Sequence, residues 1–475
     1  MTFALGFRVL LVEDKPDSRD AAIEALERIL VGCEVQWVAD REAAMSILAA
    51  SHFDLAVCDL KIPARTDELD TDESNGFAVV SAFEQDHPGT PIIILSAWAS
   101  LDNTETHIRT ASAVSGFGVS NLPMCQVAVK GRPDDIEARL QQIADGLQLW
   151  ESIPVEVPAD TDHLLIRAIR HLATVRGYTS ATIDRAGGLS GSSNAFATLL
   201  APGRLPMKVF VKMDAVHWIE DEDRRRREFV EGHLEPGAWA ATLEIQKVGL
   251  RDRAASFSSV STAAGLFEEI TLRPENAART VELIEGAVAH WNMGGDPIVS
   301  TVGDLRRAHL SDEATGELRI ELSEFEDVET MTLTYPTNVI HGDLHGENVL
   351  VRADLGPLLI DFAYTEVGPS VTDAVTLEMS LLFHPGSPLA ESHLANIRFE
   401  DWVSGHYLPD DTYQPFVDQC RSWALRSGDE FAFLAFAYAH ALRQMKHDNV
   451  PRTRCLSIAR GIASELVRLQ SSRLT

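Results

Sequence analysis

The sequence has few cysteines, few aromatic residues and no long hydrophobic run. Its five cysteines are odd in number and show no paired spacing, which argues against a disulfide framework or a zinc site. No apolar stretch reaches the length needed to cross a membrane. Met1–Val12 is apolar but lacks a basic start and a cleavage site, so we expect a first strand rather than a signal peptide. These absences favour a cytoplasmic protein.

Basic residues are also scarce. The chain has 41 lysines and arginines against 71 acidic residues, for a net charge of −30. Binding to nucleic acid or to an anionic membrane requires basic patches, so neither partner is expected. The basic run Arg224–Arg227 is predicted to be a solvated helix face. With 475 residues, of which 45% are hydrophobic, the chain can form roughly two to four globular domains.

Short apolar runs alternate with helical periodicity between residues 8 and 150, a pattern typical of a doubly wound parallel sheet. The runs are Val9–Val12, Val35–Val38, Leu55–Cys58, Ile92–Leu95 and Val127–Val129. The polar residues that follow them are Glu13, Asp14, Asp59, Ser96 and Lys130. Ligands of such sheets bind at the carboxyl ends of the strands, so these five side chains should converge.

Three carboxylates at one site would repel one another unless a divalent cation such as Mg²⁺ lies among them. A nearby hydroxyl and lysine can contact a phosphoryl group placed on one carboxylate. Together with Lys61–Pro63, these residues resemble the receiver domain of bacterial response regulators, a five-stranded flavodoxin-like fold. The resemblance implies that Asp59 is the phosphoacceptor, Glu13 and Asp14 bind the metal with Asp59, Ser96 is the switch hydroxyl and Lys130 contacts the phosphate. The alternative is an acidic flavodoxin-like domain that is not phosphorylated.

Several positions depart from the receiver pattern. Val127 stands where the family has an aromatic switch residue, and Gly131 replaces the proline that follows the lysine. The acidic stretch 67–73 is predicted to be a mobile loop beside the site, and the segment 96–130 is longer than usual. These departures concern how the domain signals its state and leave the phosphorylation chemistry intact.

The most informative segment is Val339–Leu350, followed by Leu358–Phe362. It places Asp343, then Asn348 five residues on (348 − 343), then Asp361 thirteen residues further (361 − 348). Phosphoryl transfer from ATP needs one carboxylate to orient the acceptor hydroxyl, and an amide and a carboxylate to hold Mg²⁺ on the phosphates. The spacing matches the catalytic loop and the metal-binding aspartate of kinases. A polar turn between two core strands is the alternative.

The His-Gly-Asp-Leu-His sequence at 341–345 resembles aminoglycoside and choline phosphotransferases. The resemblance implies a two-lobed α+β fold of the protein-kinase type, with Asp343 as the catalytic residue and Asn348 and Asp361 as metal ligands. His341 and His345 are expected to brace the loop. Asp373 either contacts the active site or caps a helix, and capping is the more common role.

The residues expected to bind the ATP phosphates lie earlier in the sequence than Asp343. Glycines let the backbone approach phosphates closely, and the candidates are Gly187, Gly188, Ser190 and Gly191. The predicted strand Met207–Lys212 ends in Lys212, which matches the phosphate-binding lysine of kinases, with Lys208 as a second candidate. Glu228, in a helix predicted over 220–233, is the candidate partner of that lysine, and Glu231 is the alternative.

These predictions divide the chain into a receiver domain (1–150), an extended linker (151–160) and a kinase-like domain (161–475) with lobes that meet near residue 260. A helix is predicted from Thr161 to Val175, packed on either neighbour. The expected function is bacterial signalling, in which a histidine kinase or another phosphodonor modifies the receiver and thereby regulates ATP-dependent phosphorylation of a small-molecule or protein hydroxyl. The alternatives are a nucleotide-binding pseudokinase scaffold and an unregulated small-molecule kinase. A homodimer is left open.

Overall fold

The structure is a computed structural model that describes residues 6–66, 68, 71–96, 113–187, 193–260, 264–291, 294–320, 322–354, 356–389 and 391–473. The chain divides into two compact units. The first comprises Met1–Glu220 with Thr242–Ser261, and the second comprises Asp221–Ala241 with Thr262–Thr475. In the described part of the chain, no helix combines the length and the apolarity needed to span a bilayer.

The N-terminal part of the first unit is a doubly wound α/β domain. Its elements in chain order are β1 (Arg8–Val12), α1 (Pro16–Ile29), β2 (Glu34–Val38), α2 (Arg41–Leu48), β3 (Leu55–Asp59), β4 (Ile62–Pro63), β5 (Thr71–Asp72), α3 (Glu73–Asp86), β6 (Ile92–Ser96), β7 (Ala113–Gly116), β8 (Val119–Pro123), β9 (Cys125–Val129) and α4 (Pro133–Ser152). The five long parallel strands lie in the order β2-β1-β3-β6-β9, with apolar clusters on both faces. The five predicted strands are therefore confirmed.

Two hairpins were not predicted. Strand β4 pairs with β5, and the Asp72 side chain accepts a hydrogen bond from the Ser74 N–H (2.7 Å) at the start of α3. Part of the acidic stretch predicted as a mobile loop is thus ordered, while residues 67, 69 and 70 lie outside the described residues. The second hairpin, β7–β8, occupies part of the long segment between β6 and β9.

The rest of the first unit is a six-stranded, mostly antiparallel sheet. It contains β10 (Val155–Glu156), α5 (His163–Arg176), β11 (Ser180–Gly187), β12 (Ser193–Leu200), β13 (Met207–Ala215), β14 (Thr242–Gln246) and β15 (Arg253–Ser259), in the strand order β10-β11-β12-β13-β15-β14. The predicted linker 151–160 is only partly extended, because its first two residues end α4 and Val155–Glu156 pair with β11 as an edge strand. Helix α5 buries its apolar face on this sheet, close to the predicted bounds.

The second unit is mainly helical. Its helices are α6 (Val216–Arg225, continued by a π-helical turn at Arg226–Val230), α7 (Leu266–Leu272), α8 (Ala277–Val288), α9 (Val302–His309), α10 (Asp312–Glu317), α11 (Glu326–Glu329), α12 (Thr372–Phe383), α13 (Glu391–Leu394), α14 (Gln414–Ser427), α15 (Glu430–Arg443) and α16 (Arg452–Arg473). Short 3₁₀ turns span Pro274–Asn276, Ala289–Trp291, Leu322–Phe325, Gly346–Asn348, Phe399–Ser404 and Gln444–Lys446. Helix α6 starts in the first unit, and it begins and ends earlier than predicted.

Two small sheets complete the second unit. One contains β16 (Ala264–Gly265), β19 (Val349–Val351) and β20 (Pro357–Leu359), and the other contains β17 (Gly295–Thr301), β18 (Thr332–Ile340) and β21 (Glu366–Pro369). Helices α12 and α15 are buried along almost their whole length, which matches their apolar sequences. An antiparallel sheet with one helix between β13 and β14, followed by a helical unit with a β19–β20 hairpin, is the element order of the predicted kinase-like α+β fold.

Candidate functional site

The carboxyl edge of the parallel sheet brings three acidic side chains together. One ligand oxygen from each of Glu13, Asp14 and Asp59 lies within 4.8 Å of the other two. Glu13 and Asp59 follow or end neighbouring strands, β1 and β3, and both are buried. The Oδ1 atom of Asp14 is also buried and has no hydrogen-bond partner among the described residues. Oxygen atoms in this arrangement fit a divalent cation such as Mg²⁺.

Lys130 lies against the same carboxylates. Its Nζ is 2.7 Å from Glu13 Oε2 and 2.6 Å from Asp59 Oδ2. Burial opposes the charge of Lys130, but its contacts with Asp59 and Glu13 prevail and raise the pKa of the amine. Burial also raises the pKa of Glu13, an effect that Lys130 counteracts and the charge of Asp59 reinforces. The lysine therefore balances negative charge in a site that contains more carboxylates than cations.

Ser96 completes the group of five predicted residues. Strands β6 and β9 are neighbours, and the Lys130 N–H donates to the Ser96 carbonyl oxygen (2.9 Å). The five side chains thus follow strands of one sheet edge, as expected, while their roles stay predictions. Gly131 has a φ of +78°, which proline cannot adopt, so the backbone after the lysine differs from one that carries proline.

In the second unit, a buried carboxylate holds the segment that carries Asp343. The side chain of Asp373 accepts hydrogen bonds from the N–H groups of His341 (2.9 Å) and Gly342 (3.1 Å). Asp373 is in the first turn of α12, but its carboxylate contacts this loop and makes no capping bond. The helix-cap interpretation is therefore wrong. Burial raises the pKa of Asp373 to about 6, and the two N–H groups only partly oppose this.

Gly342 is required where it stands. Its φ is +80°, and an added Cβ would lie 2.2 Å from the carbonyl oxygen of Tyr364. A side chain at this position would strain the backbone and collide with the neighbouring chain.

The β19–β20 hairpin brings Asn348 and Asp361 to one end. Val349 pairs with Leu359, and the Ile360 N–H donates to the Asn348 carbonyl oxygen (3.1 Å). The two residues therefore flank the open end of the hairpin. Asn348 is buried, and its Nδ2 donates to the carbonyl oxygen of Asp343 (2.9 Å), which links the amide directly to the loop.

The two histidines of the loop have separate partners. The Nε2 atom of His341 is 3.0 Å from the Ile360 carbonyl oxygen, so His341 joins the loop to the hairpin. His345 Nδ1 accepts from the Glu347 N–H (3.2 Å), and its Nε2 lies 3.7 Å from Asp343 Oδ2. Burial lowers the pKa of His345 to about 4, so this imidazole is neutral at pH 7.

Of the predicted ATP residues in the first unit, Lys212 is buried on β13. Lys208 lies at the surface, with its Nζ 3.9 Å from Asp184 Oδ2. Gly187 ends β11 and pairs with Asn194. Gly188, Ser190 and Gly191 lie outside the described residues.

The two glutamates predicted as partners of the lysine both pair with nearby arginines. Glu228 is 53% exposed and pairs with Arg224 (2.9 Å) on its own helix, and Glu231 pairs with Arg226. Glu222 was missed. Its Oε1 accepts a hydrogen bond from the Phe362 N–H (3.1 Å), directly after Asp361.

The signal for Glu222 was its position three residues after the buried Ile219, on the same helix face. The helix predicted over 220–233 contained Glu222, but the prediction gave the role to Glu228, with Glu231 as the alternative.

The arginine run is not simply a solvated face. Arg225 donates to the Thr365 carbonyl oxygen (2.9 Å), and Arg226 is buried with its guanidinium over the Trp239 ring. Arg224 and Arg227 remain exposed and pair with nearby carboxylates. The run thus has two structural arginines and two surface arginines.

Two family models match the chain. The response regulator receiver domain matches residues 9–114, and ternary complex associated domain 9 matches residues 271–470. Response regulator protein PilR of Pseudomonas aeruginosa is 28% identical over 95 residues, which cover 20% of this chain and 19% of PilR. The chain thus spans about a fifth of the length of that curated relative.

Solved structures are similar to each part. The receiver domain of the Francisella response regulator 1452 is 19% identical with a TM-score of 0.21, covering 30% of this chain and 98% of that one. A thermostable mutant of aminoglycoside phosphotransferase APH(4)-Ia, with ADP and hygromycin B, is 13% identical with a TM-score of 0.39. The match covers 62% of this chain and 96% of that one. Amicoumacin kinase hAmiN, with AMP-PNP, Ca²⁺ and Ami, is 11% identical with a TM-score of 0.34. The match covers 59% of this chain and 89% of that one. Residues 9–114 are thus similar to the response regulator receiver domain, and the α+β part that follows them is similar in fold to these two proteins.

Proposed function

We propose that the chain is a bacterial signalling protein in which phosphorylation of Asp59 regulates ATP-dependent transfer of a phosphoryl group to an acceptor hydroxyl. The observation that carries the proposal is the linkage of Asp343, Asn348 and Asp361. The Asn348 amide donates to the Asp343 backbone, and the hairpin register brings Asn348 and Asp361 to one end. A catalytic carboxylate joined to two metal-binding side chains is what phosphoryl transfer needs.

In the proposed reaction, Asp343 orients the acceptor hydroxyl and takes its proton. The acceptor oxygen forms a bond to the γ-phosphorus as the bond to ADP breaks. Asn348 and Asp361 would hold Mg²⁺, which neutralises charge on the phosphates. Asp373 keeps the loop in place through the N–H groups of His341 and Gly342.

Residues of the first unit would bind the nucleotide phosphates. We assign this role to Lys212 and to the glycine-rich segment 187–191. For the helix glutamate we favour Glu222 over Glu228, because Glu222 holds the N–H that follows Asp361 and so helps to orient that carboxylate.

Regulation is supported by contacts inside the first unit. Asp54 directly precedes β3, the strand that ends at Asp59, and its carboxylate is buried. It accepts hydrogen bonds from Arg167 Nη1 on α5 (3.0 Å) and from Arg251 Nε beside β15 (3.4 Å). One strand of the receiver thus has the phosphoacceptor at one end and an ionic contact with the antiparallel sheet at the other.

A second contact involves the unpredicted β7–β8 hairpin. The Phe117 ring packs against Trp150 of α4 with 5.8 Å between centroids, and Val248 joins the same cluster. At Gly249 an added Cβ would lie 2.9 Å from both aromatic rings. A receiver packed this closely on the sheet can bias the nucleotide-binding part, and about 1–3 kcal/mol of coupling suffices for a roughly 5- to 150-fold effect.

The acceptor can be a small molecule or a protein side chain. The similar phosphotransferase and kinase are in complex with hygromycin B and Ami, so small molecules are the first to test. The phosphodonor for Asp59 would be a histidine kinase or a small phosphorylated metabolite.

The test measures ADP release by the full chain with Mg²⁺-ATP and a panel of hydroxyl compounds, with and without acetyl phosphate. We expect Asp59→Ala to abolish the effect of acetyl phosphate, and Asp343→Ala to lower turnover by about 10²–10⁴-fold at unchanged nucleotide affinity. Asp411→Ala is the matched control, since Asp411 is exposed.

Two results would contradict the proposal. Turnover that changes neither with acetyl phosphate nor in Asp59→Ala would indicate an unregulated kinase. Nucleotide binding without turnover under any condition would indicate a scaffold.

A further inference from the structure

A cationic side chain lies beside Asp343. Arg443, the last residue of α15, places its Nη2 3.7 Å from Asp343 Oδ1, and the imidazole of His345 lies on the other side of the carboxylate. The side chains of Asp343 and Arg443 are 30% and 20% exposed, so both can be reached from solvent.

The guanidinium of Arg443 has donors to spare. Its separation from Asp343 is longer than a hydrogen bond, and it donates no hydrogen bond to any residue in the described part of the chain. Arginine carries five N–H donors in a fixed plane, and a mostly buried guanidinium normally uses several of them. The Arg443 donors are therefore available to a ligand beside Asp343.

An aromatic ring helps to hold this arginine. The guanidinium carbon lies 5.7 Å from the centroid of the Tyr364 ring, and Tyr364 is 52% exposed. A cation near the face of an aromatic ring is attracted to it. Tyr364 thus offers an exposed wall next to a positioned cation.

Further basic groups follow in the next turn. Lys446 donates from Nζ to the His309 carbonyl oxygen (2.6 Å). Burial and then the charge of Arg443 lower the pKa of Lys446 and of His447, while Asp343 and Asp448 act in the opposite direction on His447. The charge of Arg443 therefore reaches the groups of the next turn. Charges farther away than roughly 8 Å are largely screened at physiological salt.

The geometry points to an acceptor that carries a carboxylate or phosphate group close to its reacting hydroxyl, with Arg443 as the residue that binds this anionic group. The inference rests on the proposed function, because it takes Asp343 as the group that orients the hydroxyl. A planar guanidinium binds the two oxygens of a carboxylate or phosphate together, whereas an amine-bearing acceptor would be repelled by Arg443.

The experiment compares four three-carbon acceptors with the full chain and Mg²⁺-ATP: glycerol, glycerate, glycerol 3-phosphate and 3-amino-1,2-propanediol. We expect kcat/KM for the anionic acceptors to exceed that for the amine by about 10- to 100-fold, the range of one charge-assisted contact. Comparing glycerate with glycerol 3-phosphate shows whether the acceptor's anionic group is a carboxylate or a phosphate.

Variants assign the preference to Arg443. Arg443→Ala should remove the preference for anionic acceptors, mainly by raising their KM. Arg443→Lys should keep part of the preference. The control is Arg426→Ala, because Arg426 is exposed and pairs with Glu285 on another helix. Thermal unfolding of each variant checks that it is folded.

Equal rates with the amine and the anions would overturn the inference and leave the proposed function standing. A loss of kcat that is the same for all acceptors in Arg443→Ala would also overturn it, since that result assigns the arginine to the transferred phosphoryl group. If the wild type phosphorylates no acceptor, the proposed function fails, and calorimetry with glycerol 3-phosphate decides the inference. Binding that is lost in Arg443→Ala supports it, and no binding by the wild type overturns it.

Discussion

The receiver site and the catalytic loop each hold a carboxylate beside a cationic side chain, but they are assembled differently. Lys130 reaches Asp59 from another strand of the same sheet, and both follow the regular alternation of strands and helices. Arg443 reaches Asp343 from the end of a helix one hundred residues further along the chain (443 − 343). The first kind of site can be inferred from periodicity, whereas the second depends on tertiary packing that periodicity does not encode.

The largest effect that we expect concerns the ion pairs that Asp54 of the receiver makes with Arg167 and Arg251. Asp54→Asn removes the charge that Arg167 and Arg251 share, so the effect of acetyl phosphate on turnover should fall from roughly 5- to 150-fold towards none. The measurement is ADP release with and without acetyl phosphate, together with phosphate incorporation at Asp59.

The control for this change is Asp184→Asn, an exposed carboxylate on β11 of the antiparallel sheet. Phosphate incorporation should persist in both variants. An undiminished response in Asp54→Asn would show that the two parts communicate by another route.

The second prediction concerns Asp373 and pH. Burial raises its pKa from 3.8 to about 6, so the folded state binds more protons than the unfolded state between these values. The associated stability is fully present below about pH 4 and is lost as the pH rises through 6. The wild type should lose about 3 kcal/mol relative to Asp373→Asn across this window.

Denaturant unfolding of the two proteins at pH 4, 5, 6 and 7 measures this difference. Asp411→Asn, at an exposed carboxyl, should show no such trend. A constant difference between the wild type and Asp373→Asn would mean that folding does not shift the pKa of this carboxyl.

The smallest effect separates two glutamates of one helical segment. Glu222→Ala should lower turnover by about 10-fold, because the Phe362 N–H loses its acceptor beside Asp361. Glu228→Ala should leave turnover near the wild-type value, since Glu228 pairs with Arg224 at the surface. Steady-state kinetics with Mg²⁺-ATP measure turnover in both variants. A larger loss in Glu228→Ala than in Glu222→Ala would assign the functional role to Glu228.

The sequence was sufficient where local pattern determines structure. All five receiver strands follow from apolar runs with polar residues after them, and α12 and α15 follow from long apolar stretches. The pattern of Asp343, Asn348 and Asp361 was readable because one hairpin contains both metal-binding candidates. Close spacing in sequence translates directly into proximity in such a hairpin.

The sequence was insufficient where a distant element supplies the partner. Asp373 looked like a helix cap because its contacts with His341 and Gly342 span about thirty residues. Glu222 was passed over because its contact with the Phe362 N–H joins residues 140 positions apart in the sequence. The β7–β8 hairpin was missed because it lies in an added segment, and its packing on Gly249 requires the folded sheet.

The edge strand β10 has a consequence for dissecting the protein. Helix α4 ends at Ser152, and Val155 already pairs with β11, so the receiver and the antiparallel sheet are separated by two residues. A fragment that begins at residue 161 would lack this strand and expose the backbone of β11, which invites association between copies. Insolubility of such a fragment would therefore reflect a missing border of the sheet and would say nothing about whether the second part is an enzyme.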